Sequence, residues 1–185
     1  DTSAFLTAES AAIYARECAA GCAPVTMKNA ERAILSRLRM LEEADFARYD
    51  SGGEGLYRRF YAAVRTAASV DELLGTVKTK RYAYARLRRM LLAAYLDIAA
   101  AELPQEIPYL RVLACNERGR MLLRAIKNEG SAPVLTKSAD VRSLSEEAQR
   151  LFALSARACD QYVLAYPELR AAKGGGAWTQ GPVIV

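Results

Sequence analysis

The chain has 185 residues, 52% of them hydrophobic and 25% charged, with a formal net charge of +5 and no histidine. A chain of this length buries about 70% of its unfolded surface and needs neither disulfides nor a metal to hold a core. The lack of histidine excludes Ser-His-Asp, Cys-His and histidine-base chemistry, along with any His-x-Gly-His nucleotide-transfer signature.

In chain order, residues 7–20 read as a first helix, with Thr7 as cap and Gly21 as stop, and Ala23-Pro24 breaks the chain. Residues 27–42 carry Ala30, Ile34, Leu38 and Leu41 on one face of an amphipathic helix. Ser51-Gly52-Gly53-Glu54-Gly55 reads as a turn, since it lacks the Gly-Lys-Ser/Thr of a phosphate loop. A helix resumes over residues 56–67 with Leu56, Phe60 and Val64 inward. Ser69-Val70-Asp71-Glu72 is a capping box that opens a short helix to Val77. A further helix runs through Ile98 on a stripe of Leu87, Leu91, Ala94 and Ile98.

The pattern changes after Pro104 and Pro108. Residues 109–114 read as a mostly buried strand, residues 117–128 as a helix capped by Asn116, and residues 133–136 as a second strand. Strand, helix, strand implies a parallel pair with a right-handed crossover. Ser143-Leu144-Ser145-Glu146 reads as a second capping box, opening a helix to Tyr166 with Leu144, Ala148, Leu151, Ser155, Ala158 and Tyr162 inward. Lys173-Gly174-Gly175-Gly176 is a flexible joint, and Trp178 with Val183-Ile184-Val185 can dock the tail.

The expected fold is mainly α: one helical domain with a small two-stranded parallel β-α-β insert. Its parts are a helical region over 1–103 with a basic helix start at 78–89, the insert over 104–140, a long helix over 141–170 and a tail over 171–185. No apolar run approaches ~18 residues, so no membrane helix or membrane partner is expected, and no signal peptide is visible. Cys18, Cys22, Cys115 and Cys159 read as buried free thiols of a reducing cytoplasm; their spacing does not suit zinc, and no metal site is expected.

The charge is concentrated. Residues 78–124 hold ten Lys/Arg and four acids, and six cations between Lys78 and Arg89 are interrupted by no acid. Lys78, Lys80, Arg81, Arg86, Arg88 and Arg89 therefore read as phosphate ligands, with Tyr82 and Tyr84 as stacking or orienting rings. Tyr82, Arg86 and Arg89 share a face if the helix begins at Tyr82. Six phosphate contacts would cost roughly a thousandfold in affinity between about 50 and 200 mM salt. Arg118 and Arg120 lie in the first turn after the first strand and extend the RNA-binding set. Arg111, inside an apolar strand, should pair with an acid or point at a ligand. No acid/base pair suited to catalysis is found, so no catalytic residue is expected.

Several segments together resemble the tRNA(Met) cytidine acetate ligases, a nucleotidyltransferase-like family. The match is carried by Val77-Lys78-Thr79-Lys80-Arg81-Tyr82 with Arg86 and Arg89, by Pro108-Tyr109-Leu110-Arg111-Val112-Leu113, and by Asn116-Glu117-Arg118-Gly119-Arg120. Glu54-Gly55-Leu56 with Arg59, Pro133-Val134-Leu135-Thr136-Lys137 and the closing Pro182-Val183-Ile184-Val185 follow in matching order. The family pattern often has Thr or Pro where this chain has Ala83, which removes a helix cap, and Asn where it has Arg58. The resemblance implies ATP and acetate as cosubstrates of a parent ligase that makes N4-acetylcytidine at the wobble position of elongator tRNA(Met). It implies that this chain is the C-terminal, mainly helical tRNA-positioning domain. The N-terminal ATP-binding domain would be absent here and would be a partner in the intact protein, and the chain itself would need no cofactor. The chain starts at Asp1, which fits an excised fragment or a processed product. A second reading stays open: a non-catalytic interaction module whose basic face docks a partner domain without touching RNA.

Overall fold

Short helices with strong local start signals build most of the chain. The computed structural model describes residues 5–50 and 52–185, so Ser51, the first residue of the expected turn, lies outside the described residues. The Thr7 hydroxyl accepts the Ser10 N–H and opens α1 (Ala8–Ala19). Next come α2 (Glu31–Arg39), α3 (Glu43–Tyr49), α4 (Leu56–Thr66), α5 (Val70–Val77) and α6 (Tyr84–Leu96). The Ser69 hydroxyl accepts the Glu72 N–H at 3.0 Å, while the Glu72 carboxylate reaches back to the Ala68 N–H at 2.9 Å. The expected box forms, shifted by one residue on its return arm.

The chain divides into two compact units, Asp1–Ala101 with Gln161–Lys173, and Glu102–Asp160 with Gly174–Val185. The expected helical part and the expected β-α-β insert thus fall in different units. In the first, Ile34 and Leu38 of α2, Phe46 of α3, Leu56, Phe60 and Val64 of α4, Leu73 of α5 and Leu87 and Leu91 of α6 are buried in one core. Each full burial contributes about 1.5–3 kcal/mol. The stripes read from α2, α4 and α6 are the buried ones, except that Ile98 lies beyond the end of α6 and is half-buried. The helix expected over 27–42 is shorter, and α3 was not expected at all. It starts at its own cap, where the Asp45 carboxylate accepts the Glu42 N–H at 2.9 Å.

The second unit holds β1 (Leu110–Arg111), β2 (Ala114–Cys115), α7 (Glu117–Glu129), β3 (Val134–Leu135), most of α8 (Glu146–Val163), α9 (Gly176–Thr179) and β4 (Val183–Ile184). β1 pairs parallel with β3, Leu110 opposite Val134. β2 pairs parallel with β4, Ala114 opposite Val183. The β1-α7-β3 parallel pair is as expected. The single strand expected over 109–114 is instead split in two, because its second half pairs with the tail: the Val183 N–H donates to the Leu113 carbonyl at 3.0 Å. Asn116 caps α7 by accepting the Gly119 N–H at 2.9 Å.

Two further readings need correction. Ser145, not Ser143, caps α8, accepting the Ala148 N–H at 3.3 Å; Ser143 closes a preceding 3-10 turn. The inward stripe of α8 is Ala148, Phe152 and Ala156, and Ser155 and Tyr162 are exposed. Phe152 takes the core position because two rings meet it, Trp178 at 4.7 Å edge-on and Tyr109 at 6.3 Å between centroids. The glycine joint is ordered by its surroundings. Gly175 has φ +84°, which suits glycine, and its N–H donates to the Asp160 carboxylate at 2.7 Å. None of the four cysteines is fully buried; all are free thiols, and Cys159 is exposed.

Candidate functional site

The basic segment folds as a tight turn followed by a helix. Thr79 and Tyr82 form an antiparallel bridge, with Lys80 and Arg81 at the turn's tip. α6 begins only at Tyr84, and Ala83 supplies no side-chain cap, as its identity predicts. Tyr82 therefore stands before the helix and does not share a helical face with Arg86 and Arg89. Its ring is only 4% exposed, so it cannot stack on a base. It serves as a platform instead: the guanidinium carbons of Arg86 and Arg81 lie 5.2 and 6.0 Å from its centroid. Tyr84 keeps the exposure that stacking needs, at 44%, with the Lys78 ammonium 5.5 Å and the Arg88 guanidinium 5.9 Å from its ring.

Two of the six cations are held by carboxylates. Arg86 reaches Asp50 at 3.4 Å and Glu54 at 3.1 Å, and Arg81 reaches Glu54 at 3.0 Å. The Arg81 hydrogen bond, then that of Arg86, holds the Glu54 carboxyl below its ordinary range. Asp50, with a side chain only 3% exposed, also accepts the Gly52 and Tyr57 N–H groups, each at 3.2 Å. Arg86 is thus a clamp that ties α6 to the Gly52–Gly55 turn, and its own side chain is only 28% exposed. Lys78 donates to the Thr79 carbonyl at 2.6 Å. Lys80, Arg88 and Arg89 are exposed, and no ion pair to them is found among the described residues.

Beside the clamp lies a cavity of about 490 Å³ in the first unit. Arg48, Tyr49 and Asp50 from the end of α3, and Arg86 and Arg89 from α6, line its polar side; Leu56, Met90, Ala93 and Ile98 are among its apolar walls. Burial, then the Asp97 carboxylate that accepts the Tyr49 hydroxyl proton at 2.5 Å, pushes the Tyr49 phenol up to about 12.

Arg111, Arg118 and Arg120 belong to the second unit. Arg111 neither pairs with an acid nor points free. It donates to the Ala177 carbonyl at 3.0 Å and lies 5.1 Å from the Phe152 ring centroid, so it anchors the tail. Arg118 is exposed, and Arg120 lines a crevice of about 530 Å³ together with Arg124 and Lys137. Sequence reasoning missed Arg48, Asp50, Arg124 and Lys137 as site residues. The glycine turn between Asp50 and Glu54 was the available signal, since it leaves two carboxylates on a bent chain. Among the described residues no cluster of three or more Cys, Asp or Glu is placed to hold a metal ion, and no helix is long and apolar enough to cross a membrane.

A model of the HIGH Nucleotidyl Transferase family matches residues 1–175. The chain belongs to that family. Its relatives include the tRNA(Met) cytidine acetate ligase of Fervidobacterium nodosum, 34% identical over 145 residues that cover 76% of this chain and 34% of that protein. The enzyme of the same name from Acetivibrio thermocellus is 29% identical over 182 residues, covering 94% of this chain and 43% of its own. The chain thus spans between a third and a little under half of the length of these relatives. A crystal structure of Thermotoga maritima TmcAL bound with alpha-thio ATP superposes with a TM-score of 0.90 at 23% identity, covering 97% of this chain and 47% of that one. Its apo form gives 0.89, with 97% and 46% covered. The mainly helical fold is therefore shared with Thermotoga maritima TmcAL.

Proposed function

We propose that this chain binds and positions tRNA for a tRNA(Met) cytidine acetate ligase, acting as the C-terminal domain of that ligase. The observation that carries the reading is the exposed Tyr84 ring flanked by Lys78 and Arg88 on a turn and helix that Arg86 clamps in place. An exposed ring among phosphate-seeking cations suits RNA loops, whose bases are splayed. Arg81 and Arg86 stabilise the support, which leaves Lys78, Lys80, Arg88 and Arg89 for phosphates. On this reading ATP and acetate are cosubstrates of the parent enzyme, and this chain has no histidine to supply a His-x-Gly-His signature. The names of the relatives support tRNA(Met) as the RNA and cytidine acetylation as the parent activity.

The test is binding of a tRNA(Met) transcript by the 185-residue chain across salt concentrations. Four phosphate contacts give a loss of roughly a hundredfold between about 50 and 200 mM salt. The double variant Lys80→Glu/Arg89→Glu should flatten that dependence and weaken binding at least tenfold. Unchanged affinity in that variant would favour the other reading, a basic face that docks an acidic protein surface.

A further inference from the structure

We propose that the cavity between α3 and α6 receives one unpaired nucleobase of the bound RNA; this rests on the tRNA-binding reading. Three observations converge on it. At about 490 Å³ the cavity falls in the range of roughly 300–1,000 Å³ typical of ligand pockets. Its walls are largely apolar, through Leu56, Met90, Ala93 and Ile98, and the acceptors around it are already engaged. Asp50 takes two backbone N–H groups and Arg86, and the Tyr49 hydroxyl is given to Asp97. With those acceptors taken, the hydroxyl protons of a sugar would find few partners inside, whereas the apolar walls suit the face of a flat ring and the arginines at the polar side suit the phosphate attached to it. Finally, Arg89 lines the cavity from the same helix that carries Tyr84 and Arg88, and it forms no ion pair with a described residue. A flat ring joined to an anion is a nucleotide. A guanidinium plane can stack on the ring while the phosphates on either side run along the cations of α6.

Filling the cavity separates this from general charge attraction. Ala93→Phe places a ring inside it, and Ala100→Trp covers it from an exposed rim position, so a folding defect in the first does not decide the outcome. Each is compared with wild type for a tRNA(Met) transcript and for a fully paired RNA duplex of the same length. The expected result is about a tenfold loss of tRNA affinity in both variants, with duplex affinity and the salt dependence of binding unchanged. If both folded variants bind the transcript as wild type does, or lose transcript and duplex equally, the base pocket is wrong. Failure of the underlying reading looks different: wild type itself then shows no salt-dependent tRNA binding.

Discussion

Arg86 shows how a residue read as a ligand becomes a strut. In sequence it is one cation among six. In space it joins Asp50 and Glu54, which lie 36 and 32 positions earlier. A charge count over a local window cannot see partners that distant, so the density of cations was legible and their division into clamps and free charges was not. The clamp depends on a small neighbour. A Cβ on Gly52 would sit 1.8 Å from an Arg86 guanidinium nitrogen and would push that flexible tip away. Gly52→Ala should therefore loosen Arg86 from Asp50, leave a buried carboxylate short of a donor, and lower unfolding stability by about 1–3 kcal/mol in urea titration. Tyr49 offers a second check. Its phenol is raised from the ordinary 10.0 to about 12, so its stabilising contribution is complete below pH 10 and is lost as pH rises through 12. Tyr49→Phe should abolish that part of the alkaline decline, on the order of 1–3 kcal/mol, read as the difference between the two pH–stability curves.

At the level of elements, local signals were the readable ones. Ser69 capped its helix as expected, and Ser69→Ala should cost about 1 kcal/mol in thermal unfolding while tRNA affinity holds. α4 and α6 declared themselves through apolar residues at helical spacing. α3 did not: its seven residues are too few to establish a period, and its start depends on the Glu42–Asp45 contact. The start of α6 was misplaced because Tyr82 fits a helical face in sequence, yet the Thr79–Tyr82 bridge turns the chain and sends that ring into the core. The α8 stripe held at Ala148 and slipped by one position after it, from Leu151 and Ser155 to Phe152 and Ala156, because the rings of Tyr109 and Trp178 draw Phe152 inward. The split of the first strand was not legible either, since it is set by a partner about 70 residues downstream.

For the molecule as a whole, two cores imply two cooperative bodies. One is assembled by α2 to α6, the other by Leu135, Val141, Phe152, Ala156 and Ala177. The tail completes the second: β4 pairs with β2, and Arg111 holds the Ala177 carbonyl. Deleting residues 181–185 should raise amide exchange around Ala114 and Cys115 and lower the midpoint of the second body alone. Exchange in α4 and α6 should stay as in the intact chain. An equal loss of protection throughout would mean that the two cores melt as one.

The chain has a single tryptophan, Trp178, and it sits edge-on to Phe152 in the second body. This makes it a native fluorophore with a fixed address. Its emission tracks the environment of the Phe152 cluster. A ligand seated against the Phe152 cluster should therefore announce itself as a change in tryptophan emission, with no label added to the protein.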